Sequence, residues 1–448
     1  MTTLDLDVGP VAHGGHCVAR HDGRVVFVRH ALPGERVRAT VTDGAQDARF
    51  WRADAVEVLD ASPHRVPPRC PVAVAGGCGG CDWQHVDLAE QRRLKAGVVA
   101  EQLRRLGGLD VDPDDVTVAA VPGDDEGLGW RTRLRLAVDA DGRAGLRRHR
   151  SHSVVPIDDC PLAHRELGVP DVVGRQWPPG GEVVLTGGNG DPPTVEVADP
   201  SSPRRLRHVS GARRRQEVAA GRSWQVTGSG FWQVHPGAAQ ALVDAVRRAL
   251  QTDGEESLLD LYGGVGLFAG TVGFPPDPGH APGPGSDPGS DPGSDPGAVA
   301  ATGAAPRMLV ESDAQAVRDA RHNLRRDGVS VHGARVERWL RSPAAPSAVD
   351  LVVLDPPRSG ARREVCDAIV RLRPRRVVYV ACDPAALARD LRTFAEQGYH
   401  CDGLEAFDMF PMTHHVECVV SLRPDDGRGR MVVAEERNGY SQNILTSR

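Results

Sequence analysis

Two apolar runs in this chain end in residues able to do chemistry. In Val377-Val-Tyr-Val-Ala-Cys-Asp-Pro384 the run delivers Cys382, held against Asp383 and Pro384. In Leu351-Val-Val-Leu-Asp-Pro-Pro-Arg358 it delivers Asp355 ahead of two rigid prolines. A parallel sheet keeps its reactive groups at the carboxyl ends of such strands. A thiol placed there is a candidate nucleophile, although the charge of Asp383 opposes thiolate formation unless that carboxylate is paired or hydrogen-bonded.

A second group of cysteines has metal-ligand spacing. The chain holds nine cysteines, and without a secretory pattern these argue against a disulfide framework. Cys70 is followed by Cys78 and Cys81 in Gly76-Gly-Cys-Gly-Gly-Cys81, and Cys160 precedes Pro161. The glycines let the backbone turn tightly enough for two thiolates to reach one centre. Zinc and an iron–sulfur cluster both fit four thiolates, and spacing alone does not separate them. Cys17, Cys366, Cys401 and Cys418 lack such a pattern and read as core or incidental positions.

These residues must be positioned by more than one folding unit, because 448 residues exceed what one core usually supports. Residues 1–60, with short alternating runs broken by Gly- and Pro-rich turns, predict a five-stranded β-barrel. Residues 61–220 predict a central unit that contains the cysteine segment, a helix over 88–106 that can pack on the next domain, and mostly β structure over 130–220. From 221 to 424 strands and helices alternate, predicting an α/β doubly wound parallel sheet. A Pro/Gly-rich stretch at 274–301 reads as a disordered insertion, and 425–448 as a loose tail. Excising the insertion brings the glycine loop Gly263-Gly-Val-Gly266 to nucleotide-fold spacing from Glu311, whose carboxylate can take two ribose hydroxyls. Without a full GxGxxG, S-adenosylmethionine suits this loop better than NAD.

Composition limits the partners. No apolar run approaches ~20 residues and no charged-then-apolar signal precedes the first strand, which predicts a cytoplasmic protein with no membrane partner. The formal net charge is −6, but arginines cluster at 131–150 and 203–222, a candidate RNA surface. The helix over 88–106 carries further arginines and the only lysine of the chain, Lys95.

Four motifs together resemble the S-adenosylmethionine-dependent RNA 5-methyluridine methyltransferases: Asp260-Leu-Tyr-Gly-Gly-Val-Gly266, Asp355-Pro-Pro-Arg358, Ala381-Cys-Asp-Pro384 and Asp408-Met-Phe-Pro-Met-Thr-His-His-Val-Glu417. The N-terminal barrel with Gly34-Glu-Arg-Val37 resembles their TRAM domain, and Cys70, Cys78, Cys81 and Cys160 resemble the [4Fe–4S] ligands of the rRNA-modifying branch. The resemblance implies that Cys382 attacks carbon 6 of a uracil and Glu417 removes the carbon 5 proton. It places Gln233, Tyr262, Glu311 and Asp355 beside S-adenosylmethionine, and implies a monomer acting on 23S rRNA, with tRNA as the alternative. Asp383, His235 and Leu267 depart from the family pattern. A non-catalytic RNA-binding or ribosome-assembly protein and an iron–sulfur redox sensor are the competing readings.

Overall fold

Alternation decides the N-terminal unit. In the strand Thr3–Val11, Leu4, Leu6 and Val8 turn inward while Thr3, Asp5 and Asp7 face out, the period-two pattern of a half-buried strand. The computed structural model describes residues 2–45, 47–124, 126–202, 205–273, 305–425 and 432–433. Within it Thr3–Val11, Cys17–His21, Arg24–Arg29, Phe50–Asp60 and Arg36–Asp43 close in that order into a barrel. Glu35 fastens the barrel to the segment that follows. It is 1% exposed and accepts hydrogen bonds from Leu32 N (2.8 Å), Ser62 N (3.1 Å) and Arg65 Nε (2.6 Å).

The central unit is a six-stranded sheet ordered Leu206–Ser210, Thr194–Ala198, Glu182–Thr186, Arg133–Val138, Ala144–Arg147, Val154–Pro156. Several of its clustered arginines are paired within the unit. Arg135 and Arg147 both pair with Glu182, at 2.6 and 2.9 Å, and Arg143 pairs with Asp139 and Asp141. Arg133 pairs with a buried Glu217 at 3.2 Å. Arg215 is fully buried on Pro192 O and Asn189. Much of this charge is neutralised in place because the strands carry acids opposite the arginines, which a linear charge count does not register.

The third unit is a nine-stranded sheet. Five parallel strands run Val329–Gly333, Arg307–Glu311, Leu258–Leu261, Leu351–Leu354, Arg376–Ala381, followed by antiparallel Glu417–Pro424 and then Tyr399–Asp408. Leu258–Leu261, Leu351–Leu354 and Arg376–Ala381 are buried at every position, as strands covered on both faces must be. Two short strands pair in parallel with Tyr399–Asp408: Val432–Val433, and Val118–Ala120 from before the central unit. The Pro/Gly-rich stretch and the tail lie outside the described residues, apart from Asp425 and that short strand. Among the described residues no helix is long and apolar enough to cross a membrane.

The helix Leu88–Gln102 starts on Asp87, whose side chain accepts from Glu90 N, and passes into a wider turn, Leu103–Gly107, that stops at left-handed Gly108 (φ 69°). Ala96, Val99, Ala100 and Leu103 enter the same apolar core as Leu354, Leu387 and Leu391. Lys95, expected among this helix's basic residues, is instead 1% exposed. Its Nζ donates to Asp408 Oδ1 at 2.5 Å and to Phe410 O at 3.1 Å. The N-terminal half of the chain is thereby fixed to the strand that leads into the loop before Glu417.

Candidate active site and cysteine cavity

Cys382 follows the strand Arg376–Ala381, and the helix Pro384–Glu396 starts two residues later with Asp383 as its N-cap, accepting from Ala386 N at 2.8 Å. The cap lets the chain turn sharply enough to leave the thiol at the strand end. Asp383 is also 3.2 Å from His13 Nε2 of the barrel. Although burial opposes it, the bonds from His13 and Ala386 hold the Asp383 carboxyl below its ordinary range. The carboxylate that the sequence sets against the thiol is thus hydrogen-bonded from two sides.

Separate parts of the chain line the cavity at Cys382. The barrel loop Ala12–Gly15, the loop His414–Val416 and Trp83 meet Cys382, Asp383, Pro384 and Arg358. Burial, then the charges of Glu417 and Asp355, push the Cys382 thiol up to about 12, while Arg358 pulls it down. Glu417 opens its strand, on the residue next to the Cys418 that pairs with Ala381, and is 4% exposed. Burial and the Asp355 charge push it well above the usual carboxylate range. Cys382, Glu417 and Asp355 therefore form one electrostatic group, which the arginine at 358 partly balances.

A second acidic group lies at the neighbouring strand ends. Asp260 is fully buried, accepts from Ala269 N through Oδ2 at 2.9 Å, and its Oδ1 has no partner. Burial, with the charges of Asp355 and Glu311, raises it to about 8, and burial with Glu311 raises Asp355 to about 7. Glu311 accepts from Gly264 N at 3.1 Å and Asp313 N at 2.6 Å, joining the glycine loop to the adjacent strand end. A Cβ on Gly263 would lie 2.6 Å from Leu309 Cγ, so only glycine fits that turn. Tyr262 stands at φ 61°, a left-handed conformation costly for a bulky residue. Gln233 lies apart from these strand ends in sequence, half-buried in the coil between Arg222–Thr227 and the helix Ala238–Leu250, beside buried Trp232.

The four spaced cysteines line one cavity, with Gln84 and Arg131. Among the described residues no three His, Cys, Asp or Glu side chains close into a ready metal site. The donor set nevertheless suits thiolate ligands. Gly80 N donates to Cys78 Sγ at 3.3 Å and Gln84 Nε2 to Cys81 Sγ at 3.5 Å. Burial raises the thiols of Cys78, Cys81 and Cys160, and the Arg131 charge acts against it at each.

Sequence reasoning missed what Asp82 does. Its Oδ2 accepts from His414 Nδ1 at 2.6 Å and from His414 N at 3.2 Å, while Asp82 N and Trp83 N both donate to Met412 O. Trp83 Nε1 donates to Gly15 O at 3.0 Å. The cysteine loop therefore fastens the loop before Glu417 and the barrel loop over Cys382. Its acid directly follows Cys81, and the two histidines precede Glu417 by two and three residues, but no local pattern pairs them.

Comparison with known proteins agrees with this architecture. Residues 2–56 match the TRAM domain, and residues 335–424 match the tRNA (Uracil-5-)-methyltransferase family. An uncharacterized RNA methyltransferase of Streptomyces avermitilis is 46% identical over 452 residues, covering 94% of this chain and 98% of the relative. One of Streptomyces coelicolor is also 46% identical, covering 94% and 92%. The solved Pyrococcus abyssi tRNA (uracil-54, C5)-methyltransferase, in complex with S-adenosyl-L-homocysteine, superposes with a TM-score of 0.65 at 22% identity over 94% of this chain and all of that one.

Proposed function

Because this chain belongs to the RNA uracil-5-methyltransferase family and carries a TRAM domain, we propose that this RNA methyltransferase makes 5-methyluridine in RNA, in the cytoplasm, with S-adenosylmethionine as methyl donor. The observation that carries the reading is the grouping of Cys382 with Glu417 and Asp355, whose charges act on the thiol. The acidic strand ends at Asp260, Glu311 and Asp355 suit a cationic cofactor, and the glycine loop suits its close approach. When bound, S-adenosylmethionine would supply an electrophilic methyl group on a positively charged sulfur.

In this reading Cys382 Sγ gives its proton to water and the thiolate adds to carbon 6 of the uracil, so that carbon 5 becomes nucleophilic and takes the methyl group. Glu417 then removes the carbon 5 proton, the ring regains its double bond, and the carbon–sulfur bond breaks. The step needs Glu417 ionised, and its raised affinity for a proton then makes it a stronger base than an exposed glutamate. Arg358 would favour the thiolate as the attack begins. Gln233 and Tyr262 are proposed cofactor neighbours. The uracil must leave its stack or sit in a loop for carbon 6 to be reached.

The substrate proposed first is 23S rRNA, and tRNA second. Incubation of both unmethylated RNAs with methyl-labelled S-adenosylmethionine, followed by mapping of the label, decides between them. Label at carbon 5 of one uridine supports the reaction, and label elsewhere or on neither RNA overturns it. Glu417→Gln should add to RNA and accept the methyl group but fail to lose the carbon 5 proton. A covalent RNA–protein adduct then accumulates on denaturing gels. Normal turnover without an adduct would remove Glu417 from this role.

For the cysteine cavity we propose a [4Fe–4S] cluster held by Cys70, Cys78, Cys81 and Cys160, with a structural role. Asp82 and Trp83 link that loop to the surroundings of Cys382. Cys78→Ser with Cys81→Ser should lose iron and sulfide and speed hydrogen exchange in residues 412–415. Zinc in the anaerobically purified protein would replace the cluster, and unchanged exchange would refute the structural role.

A further inference from the structure

We propose that His13 of the barrel is a positioning residue for the nucleophile: by bonding Asp383 it draws that carboxylate's charge away from Cys382 and lets the thiol ionise. The barrel thereby sets the reactivity of the group whose cavity it lines. The inference rests on Cys382 as the nucleophile of the proposed reaction.

The two oxygens of Asp383 have different duties. Oδ1 accepts from Ala386 N at 2.8 Å and caps the helix Pro384–Glu396. Oδ2 lies 3.2 Å from His13 Nε2, with the His13 side chain 38% exposed and that of Asp383 24%. Behind burial, Glu417 and Asp355, the Asp383 charge also raises the proton affinity of Cys382, and Arg358 acts against them. Glu417 and Asp355 have their own parts in the proposed reaction, which leaves Asp383 as the acid that can be silenced without loss. Against the opposing effect of burial, the His13 bond is the largest influence holding the Asp383 carboxyl below its ordinary range, and Arg389 adds to it by charge. An N–H donated to a carboxylate disperses its charge when the ring is neutral, and a protonated ring cancels it.

The loop that carries His13 is held in one place. Gly15 N donates to Ala12 O at 3.0 Å and Ala12 N to His16 O at 2.8 Å, closing Ala12–His16 into a tight turn. Gly15 stands at φ 81°, and a Cβ there would lie 2.5 Å from His414 Cβ, so only glycine lets the loop press against the segment before Glu417. Trp83 Nε1 holds Gly15 O from a third element. An imidazole that must reach one carboxylate oxygen needs such a seat.

The test is the rate of iodoacetamide alkylation at Cys382, followed by peptide mass spectrometry at about pH 8 without RNA, with S-adenosylhomocysteine binding as a check on folding. His13→Ala should react about threefold more slowly. A rise of about one unit in the thiol cuts the thiolate about tenfold, and the stronger nucleophilicity of a more basic thiolate returns about half of that on a logarithmic scale. Asp383→Asn keeps a helix cap and removes the charge, and in that background His13→Ala should leave the rate as it is. An unchanged or faster rate in His13→Ala overturns the inference, as does an equal slowing in the Asp383→Asn background, which would make His13 a docking contact. Uracil methylation by the unmodified protein is measured beside these rates. Methylation with no His13 effect on alkylation removes the role and leaves the reaction. The expected cycle of rates in a protein that methylates no uracil supports the action on the thiol and removes the reaction.

Discussion

Cys382→Ala should abolish methyl transfer while RNA and S-adenosylmethionine still bind. Removing the nucleophile of a covalent mechanism leaves no route to activate carbon 5, and such losses are on the order of 10⁴-fold or more. The side chain is only partly buried and caps nothing, because Asp383 holds the helix start. The fold should therefore survive. Radiolabelled methyl transfer, beside RNA binding by filter retention, checks both halves. Retained methylation would sink the nucleophile assignment, whereas loss of RNA binding would mean that the residue is structural.

The same thiol gives a pH expectation. Its folded affinity for protons is raised, to about 12, so at neutral pH the thiolate is a small fraction that grows with pH. Alkylation of Cys382 by iodoacetamide should accelerate about tenfold per unit from about pH 7 to 9. A plateau in that range would show a thiolate already formed at neutral pH, with Arg358 outweighing the two acids.

Lys95→Met should cost roughly 3–5 kcal/mol, because it leaves Asp408 charged and buried. Arg92 Nε, at 3.5 Å from Asp408 Oδ2, is the nearest remaining cation. The melting temperature should fall by roughly 10 °C. Replacing both partners, Lys95→Met with Asp408→Leu, should recover most of the loss, since an apolar pair of similar volume carries no desolvation cost. Calorimetry of the two variants checks this. A single variant as stable as the parent would show that Asp408 takes up a proton or that Arg92 suffices.

What was legible in the sequence was whatever local pattern encodes. The buried strands around Asp355 and Cys382 read directly as apolar runs, and the barrel as alternation closed by Gly and Pro turns. The cysteine spacing predicts ligands to one centre, and the four cysteines line one cavity. Lys95 was not legible, since a lysine among arginines on a helix looks solvated until Asp408, 313 residues away, arrives beside it. The pairing of Arg135 and Arg147 was not legible for a related reason: Glu182 neutralises both only once the strands pair. Asp82 with His414 and His13 with Asp383 are contacts between units, set by how those units dock rather than by any run of residues. Most of what surrounds Cys382 is of this kind.

Burial of the sole lysine also sets how the folded protein meets reagents. Apart from its α-amino group, the native chain offers no amine to acylating labels or lysine-directed crosslinkers. Lys95 becomes reactive only when the helix Leu88–Gln102 parts from the strand ending in Asp408. The extent of acylation at that one position would therefore report how often the two halves of the chain separate, without any introduced probe.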